Sequence, residues 1–245
     1  MVSVSNEVRA ITPFMALVLA LKLVESVVPN PCIYGDALML DFVFEVLIFA
    51  PLLAFALHFM FQALILRAEP NTSPEFRKAL SFLFYLFLFY FLIGFGIHYA
   101  GNAINNSLEG HSHVAYFYDE YLGHVFSYLP ILGALICIVV AEIRAPSPYR
   151  LSNADIAVLL VLSLPIGVLV GYAFVEGQTP YLGYAVVPAL IVLGVLVRIV
   201  RGLRFRRLPI LTFSLMILTV SFVFTMVYGI LYPGWPQPSE FGWSL

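Results

Sequence analysis

Seven ionisable side chains carry the chemistry this sequence can support: Glu25, Asp41, Glu45, His98, Asp119, Glu120 and His124 lie in or beside long apolar segments. An ionisable group inside a bilayer is costly, and a cluster at one depth points to function. Their spacing groups them by helix face. His98, Asn102 and Asn106 are four apart, as are Glu120 and His124, with Ser127 continuing that face, and so are Asp41 and Glu45. Residues four apart share one side of a helix. Two imidazoles with carboxylates are donor types of a catalytic zinc, which keeps an open position for water and makes that water a nucleophile at neutral pH.

On this reading His98, Glu120 and His124 are the candidate metal ligands, for a divalent ion such as zinc. Glu45 and Asp119 are the candidate bases, and Asn102 the donor to a developing oxyanion. The competing reading is structural: His98 and His124 bond each other, Asn102 or a tyrosine, as polar glue between membrane helices. Lys22 and Glu25, three apart, can neutralise each other. His111 and His113 read as loop histidines. His58 lies thirteen residues beyond Glu45, roughly 20 Å along the axis, and reads as a separate packing or pathway residue.

The elements that position these residues follow from composition. Of 245 residues 62% are hydrophobic and 11% charged, and the mean hydropathy is +0.97. A soluble domain has about 25% charged residues, so lipid must solvate this chain. A net charge of −2 leaves no net basic surface for nucleic acid. Membrane lipids and a small or amphipathic substrate are the expected partners, and the composition does not set the oligomeric state. Cys32 and Cys137 form no metal-binding pair of recognised spacing. The N-terminal apolar run carries Lys22 and Glu25 and no A-x-A-like cleavage site, so it reads as a retained helix.

Seven stretches have the roughly 20 apolar residues that a span needs: about 11–28, 37–66, 79–104, 117–142, 154–175, 182–200 and 208–231. The expected architecture is all-α, one transmembrane helical domain over residues 1–245. Arg9, Arg67, Arg77, Lys78, Arg144, Arg150 and the arginines from Arg198 to Arg207 all fall on alternate connections. The positive-inside rule then puts the N-terminus in the cytoplasm and the C-terminus outside. The absence of targeting signals suggests a prokaryotic plasma membrane. Trp235, Trp243, Tyr232 and Phe241 read as interfacial anchors. With this topology the seven ionisable residues agree in depth within about 10 Å, near the outer face.

The set around His98, Asp119 and Glu120 resembles that of seven-helix, metal-dependent lipid amidases of the alkaline ceramidase type. That resemblance implies hydrolysis of a lipid amide at a bound metal. The chain departs from the type in lacking an HxxxH pair on its last helix and in its inverted orientation. Histidine boxes of di-iron desaturases are absent, and the seventh stretch has no lysine for retinal. Three activities remain: a metal-dependent hydrolase acting on a lipid or amphipathic substrate, a proton-coupled transporter in which buried carboxylates and His relay protons, and a haem protein with His98 and His124 as axial ligands. Pro51, Pro130, Pro165 and Pro188 interrupt apolar stretches, which suits broken or moving helices.

Overall fold

The computed structural model describes residues 12, 16, 19, 20, 32–34, 38–108 and 113–241. Apart from a small two-stranded sheet, the described chain is almost wholly helical. Strand β1 (Cys32–Tyr34) pairs antiparallel with β2 (Leu38–Met39), in the register Cys32 to Met39 and Tyr34 to Leu38. The helices are α1 (Leu40–Phe44), α2 (Ala50–Ala68), α3 (Pro74–Ser107), α4 (His113–Tyr116), α5 (His124–Arg144), α6 (Asn153–Glu176), α7 (Val187–Val200) and α8 (Pro209–Leu231).

Three π-helical turns link these pieces into longer rods: Glu45–Phe49 joins α1 to α2, Phe117–Gly123 joins α4 to α5, and Leu182–Val186 leads into α7. Six of the resulting helices are long and apolar enough to cross a membrane: Phe42–Asn71, Pro74–Asn105, His113–Arg144, Asn153–Glu176, Leu182–Val200 and Pro209–Leu231. This is an integral membrane architecture. The expected first span at about 11–28, with Lys22 and Glu25, lies largely outside the described residues.

Five of the six spans start and stop within a turn or two of the apolar stretches read from sequence. The helix expected over 37–66 is displaced: Leu38 and Met39 belong to β2, and the helix begins at Leu40 and runs on to Ala68. Strand pairing satisfies backbone groups there that a helix start would leave open.

Prolines explain part of the irregularity. Pro51 and Pro188 stand two residues beyond the ends of two of the π-helical turns. A proline lacks its N–H and crowds the carbonyl four residues earlier, and a wider turn relieves both. Pro74 and Pro209 open helices, where the missing N–H costs nothing. Pro130 and Pro165 lie inside α5 and α6. Helix α6 begins with a capping box: Ser152 Oγ accepts from the Asp155 N–H, and Asp155 accepts from the Ser152 N–H.

Contacts divide the chain into two compact units, Val27–Ala145 and Pro146–Leu245, the latter together with Met1–Ser26. In the first, α2, α3 and α5 form the bundle. Phe61 and Phe84, both fully buried, stack with centroids 4.1 Å apart and fasten α2 to α3. In the second, α8 packs against both α6 and α7. Leu151, Leu159, Ile166 and Phe213 make a buried cluster. A Cβ on Gly167 would lie 2.8 Å from the Ile217 carbonyl oxygen, and one on Gly171 3.0 Å from that of Ser221. Lipid tails give helices no hydrophobic reason to associate, so close approach at small residues supplies the packing energy. The tail folds back on this unit: Tyr228 Oη donates to the Pro236 carbonyl, and Gln237 Nε2 to that of Glu176. Tyr232 lies against Phe241, and Trp235 against Tyr184; Trp243 is outside the described residues.

Candidate functional site

Glycines bring α3 against the π-helical turn Phe117–Gly123 and the start of α5. A Cβ on Gly123 would lie 2.6 Å from the Cα of His98, and one on Gly101 would lie 2.8 Å from the backbone nitrogen of Asp119. A Cβ on Gly94 would meet the backbone of Phe126 and Ser127. The three contacts run antiparallel in constant register. They press the segment holding His98 onto the segment holding Asp119, Glu120 and His124. Gly96, by contrast, faces open space. Of the two uses that small residues allow, close packing and room for a ligand, Gly94, Gly101 and Gly123 serve packing.

Across this contact His98 Nδ1 lies 2.6 Å from Asp119 Oδ1, with the two side chains 20% and 6% exposed. The approach is close but off the line of an N–H···O hydrogen bond, since neither atom has an aligned partner. Asp119, rather than Glu120, is therefore the carboxylate of His98. His124 Nδ1 is 2.9 Å from the Glu120 carbonyl oxygen. A carbonyl only accepts, so Nδ1 carries the proton, and Nε2 of the neutral ring is an acceptor. Glu120 Oε2 stands 3.6 Å from the same nitrogen. The two imidazoles are neighbours, with centroids 4.3 Å apart. Tyr99 lies against His98, and Tyr128 stacks on His124 at 5.3 Å.

Glu45 opens the first π-helical turn and is 1% exposed. Phe42 meets Tyr99 and Phe49 meets Phe95, at centroid distances of 5.1 and 6.4 Å. Glu45 thus sits level with the stretch of α3 that carries His98. Asn102 is half-buried on α3. The side chains of Asp41 and Asn106 lie outside the described residues, as do Glu25 and His111. His113 is exposed at the start of α4.

Asn105 is the residue that sequence reading missed. Its Oδ1 is buried and lacks a hydrogen-bond partner. Seven residues beyond His98, it occupies the same face two turns along. The run Asn102–Asn105–Asn106 gave a signal of polarity in an apolar helix, but only the packing singles out Asn105. His58 is separate from this site: Gln62 Nε2 donates to Tyr85 Oη at 2.6 Å, and Tyr85 Oη lies 3.1 Å from His58 Nδ1. This is a polar clasp between α2 and α3.

The donor types suit zinc. Among the described residues, however, no three His, Cys, Asp or Glu side chains converge closely enough to hold a metal ion. Glu120 and His124 are turned toward each other through a backbone carbonyl, whereas a catalytic zinc takes three protein ligands. The arrangement as it stands places an imidazole against a buried carboxylate, beside a second imidazole with a fixed tautomer. The 4.3 Å between rings does not suit a haem iron held between them. With metal–nitrogen bonds of about 2 Å, two opposed imidazoles have centroids about 6 Å apart. Comparison with family models, curated proteins and solved structures finds no match for the chain.

Proposed function

We propose that this integral membrane protein hydrolyses a small or amphipathic substrate by acid–base chemistry at His98, Asp119 and His124. The observation that carries the proposal is the buried Asp119 carboxylate 2.6 Å from His98. A carboxylate so close stabilises the imidazolium that forms when the ring accepts a proton. In the proposed reaction His98 takes a proton from water, and the hydroxide oxygen bonds to the substrate carbonyl carbon. Collapse then breaks the ester or amide bond, and the leaving oxygen or nitrogen takes the proton back. His124 and Asn102 supply polar contacts to the substrate, and Glu45 a reserve proton acceptor. The metal-dependent form of this reading uses the same donor types, His98, Asp119 or Glu120, and His124, but needs them closer together than they stand here; a zinc so held would supply an ionised water.

The test is turnover of chromogenic short- and long-chain acyl esters by the full chain in detergent, with metal content measured beside it. His98→Gln and Asp119→Asn are expected to lower turnover by about 10²–10⁴-fold while the protein stays folded. About one metal per chain, lost in a His98→Ala/His124→Ala variant, would select the metal-dependent form. Turnover untouched by all these variants would overturn the proposal.

Proton-coupled transport is the second reading. It is favoured by the near-complete burial of Glu45 and by the two π-helical turns that break the spans beside the site, since such breaks are frequent at functional sites. It expects solute uptake driven by a pH gradient in liposomes and abolished by Glu45→Gln. Seven spans, a cytoplasmic N-terminus and an external C-terminus complete the proposal, supported by the apolar stretches and the alternation of Lys and Arg; the membrane is proposed to be a prokaryotic plasma membrane.

A further inference from the structure

The unit Pro146–Leu245 carries a second chemically distinctive region, at the end where α6 and α8 begin and α7 ends. Two connections meet there. The Ser147 N–H donates to the Arg207 carbonyl and the Leu151 N–H to that of Arg206, at 2.9 and 2.7 Å. These bonds bracket Tyr149 and Arg150 and bring them beside the arginine-rich connection that follows α7, a juxtaposition not evident from their separation in sequence.

The arginines divide by role. Arg206 Nη2 donates to Asn153 Oδ1 and Nη1 to the Leu151 carbonyl. Arg198 lies over the ring of Phe205 at 4.7 Å. Those two hold the fold. Arg150, Arg201, Arg204 and Arg207 are exposed, and no described acidic group in this unit is placed to neutralise them. Asp155 is buried and accepts from both Ser152 N and Oγ. Glu176 is at the far end of α6, roughly 35 Å away.

The neighbouring surface identifies the medium. Leu193, Leu196, Ile199 and Val200 are all more than half exposed on α7, Val200 at 81%. Such a face of a spanning helix belongs in lipid, so Arg201, the next residue, falls at headgroup depth. Tyr149, 64% exposed, has the amphipathic side chain typical of that level.

We propose that Arg150, Arg201, Arg204 and Arg207 form a binding surface for the phosphate of anionic membrane phospholipid. Guanidinium groups pair with phosphate oxygens through parallel N–H donors. A bound headgroup would relieve the mutual repulsion of four cations that the described residues of this unit leave uncompensated.

The test uses the full chain in detergent micelles doped with phosphatidylglycerol or phosphatidylcholine, with retained lipid counted by native mass spectrometry. Phosphatidylglycerol should be retained in preference, and the preference should fall in 0.5 M salt. Replacing all four arginines by glutamine should weaken it by about tenfold or more, whereas a four-lysine variant should keep most of it. If the glutamine variant does not fold, the salt dependence and the lysine variant decide. Equal retention of the two lipids, or unchanged preference in the glutamine variant, would overturn the proposal. So would displacement of the lipid by millimolar inorganic phosphate, which would identify a soluble-phosphate site instead.

Discussion

At the scale of single residues, Asn105 offers a test that tells a binding group from a structural one. A buried acceptor without a partner costs stability, and exchanging it for an apolar side chain of similar size removes that cost. Asn105→Leu is therefore expected to stabilise the fold by about 1 kcal/mol, read as a higher Tm in detergent, while impairing whatever ligand the site takes. Tyr85→Phe should do the reverse. It removes the oxygen that Gln62 and His58 share and should destabilise by about 1 kcal/mol with no effect on the His98 centre. A Tm that falls in Asn105→Leu would mean that Oδ1 has a partner in the folded protein. The two variants together distinguish an unfilled binding acceptor from interhelical glue, the alternatives that residue type alone leaves open.

At the scale of elements, the glycines make a sharper contrast. An added methyl at Gly123 meets the backbone of His98, which can only move aside, whereas one at Gly96 meets nothing within 4 Å. Gly123→Ala should cost about 1–3 kcal/mol and pull His98 from Asp119. Gly96→Ala should be neutral or slightly stabilising, because alanine is the better helix former. Thermal melts of both variants check this, and equal effects would refute the packing argument. These elements also show how far sequence carries. Apolar length located the spans from Asn153 to Leu231 almost to the residue, because a bilayer imposes that length. The four-residue spacing of Glu120 and His124 led to a local pair, and the two are in contact. What spacing did not reveal is that Asp119, one residue earlier, faces His98. The wider π-helical turn Phe117–Gly123 changes which side chains share a face, and the 3.6-residue period assumed for an α-helix does not hold through it. The metal reading rested on donor types and depth, but whether three donors meet depends on rotation of each helix about its axis. No sequence period sets that rotation for three helices at once.

At the scale of the molecule, the spans and the distribution of basic residues together make a topology that can be measured. Arg77 and Lys78 begin the span Pro74–Asn105, Arg144 ends the span His113–Arg144, and the arginines from Arg198 to Arg207 lie between the last two spans. Each is an alternate connection, and positive charge holds such connections on the cytoplasmic side. Single cysteines at Ser73, Gln178 and Arg201 sample both kinds of connection, in a background with Cys32 and Cys137 replaced by serine and alanine. In intact cells a membrane-impermeant maleimide should label Gln178→Cys, while Ser73→Cys and Arg201→Cys should react only after permeabilisation. The opposite pattern would invert the whole chain, moving the His98 centre to the cytoplasmic leaflet. It would also turn the exposed arginines outward, against the charge rule and away from the leaflet richer in anionic lipid. One labelling experiment therefore bears on both proposals. A substrate of the His98 centre must be sought on the side where Gln178→Cys reacts, and an anionic lipid for the arginine surface on the other.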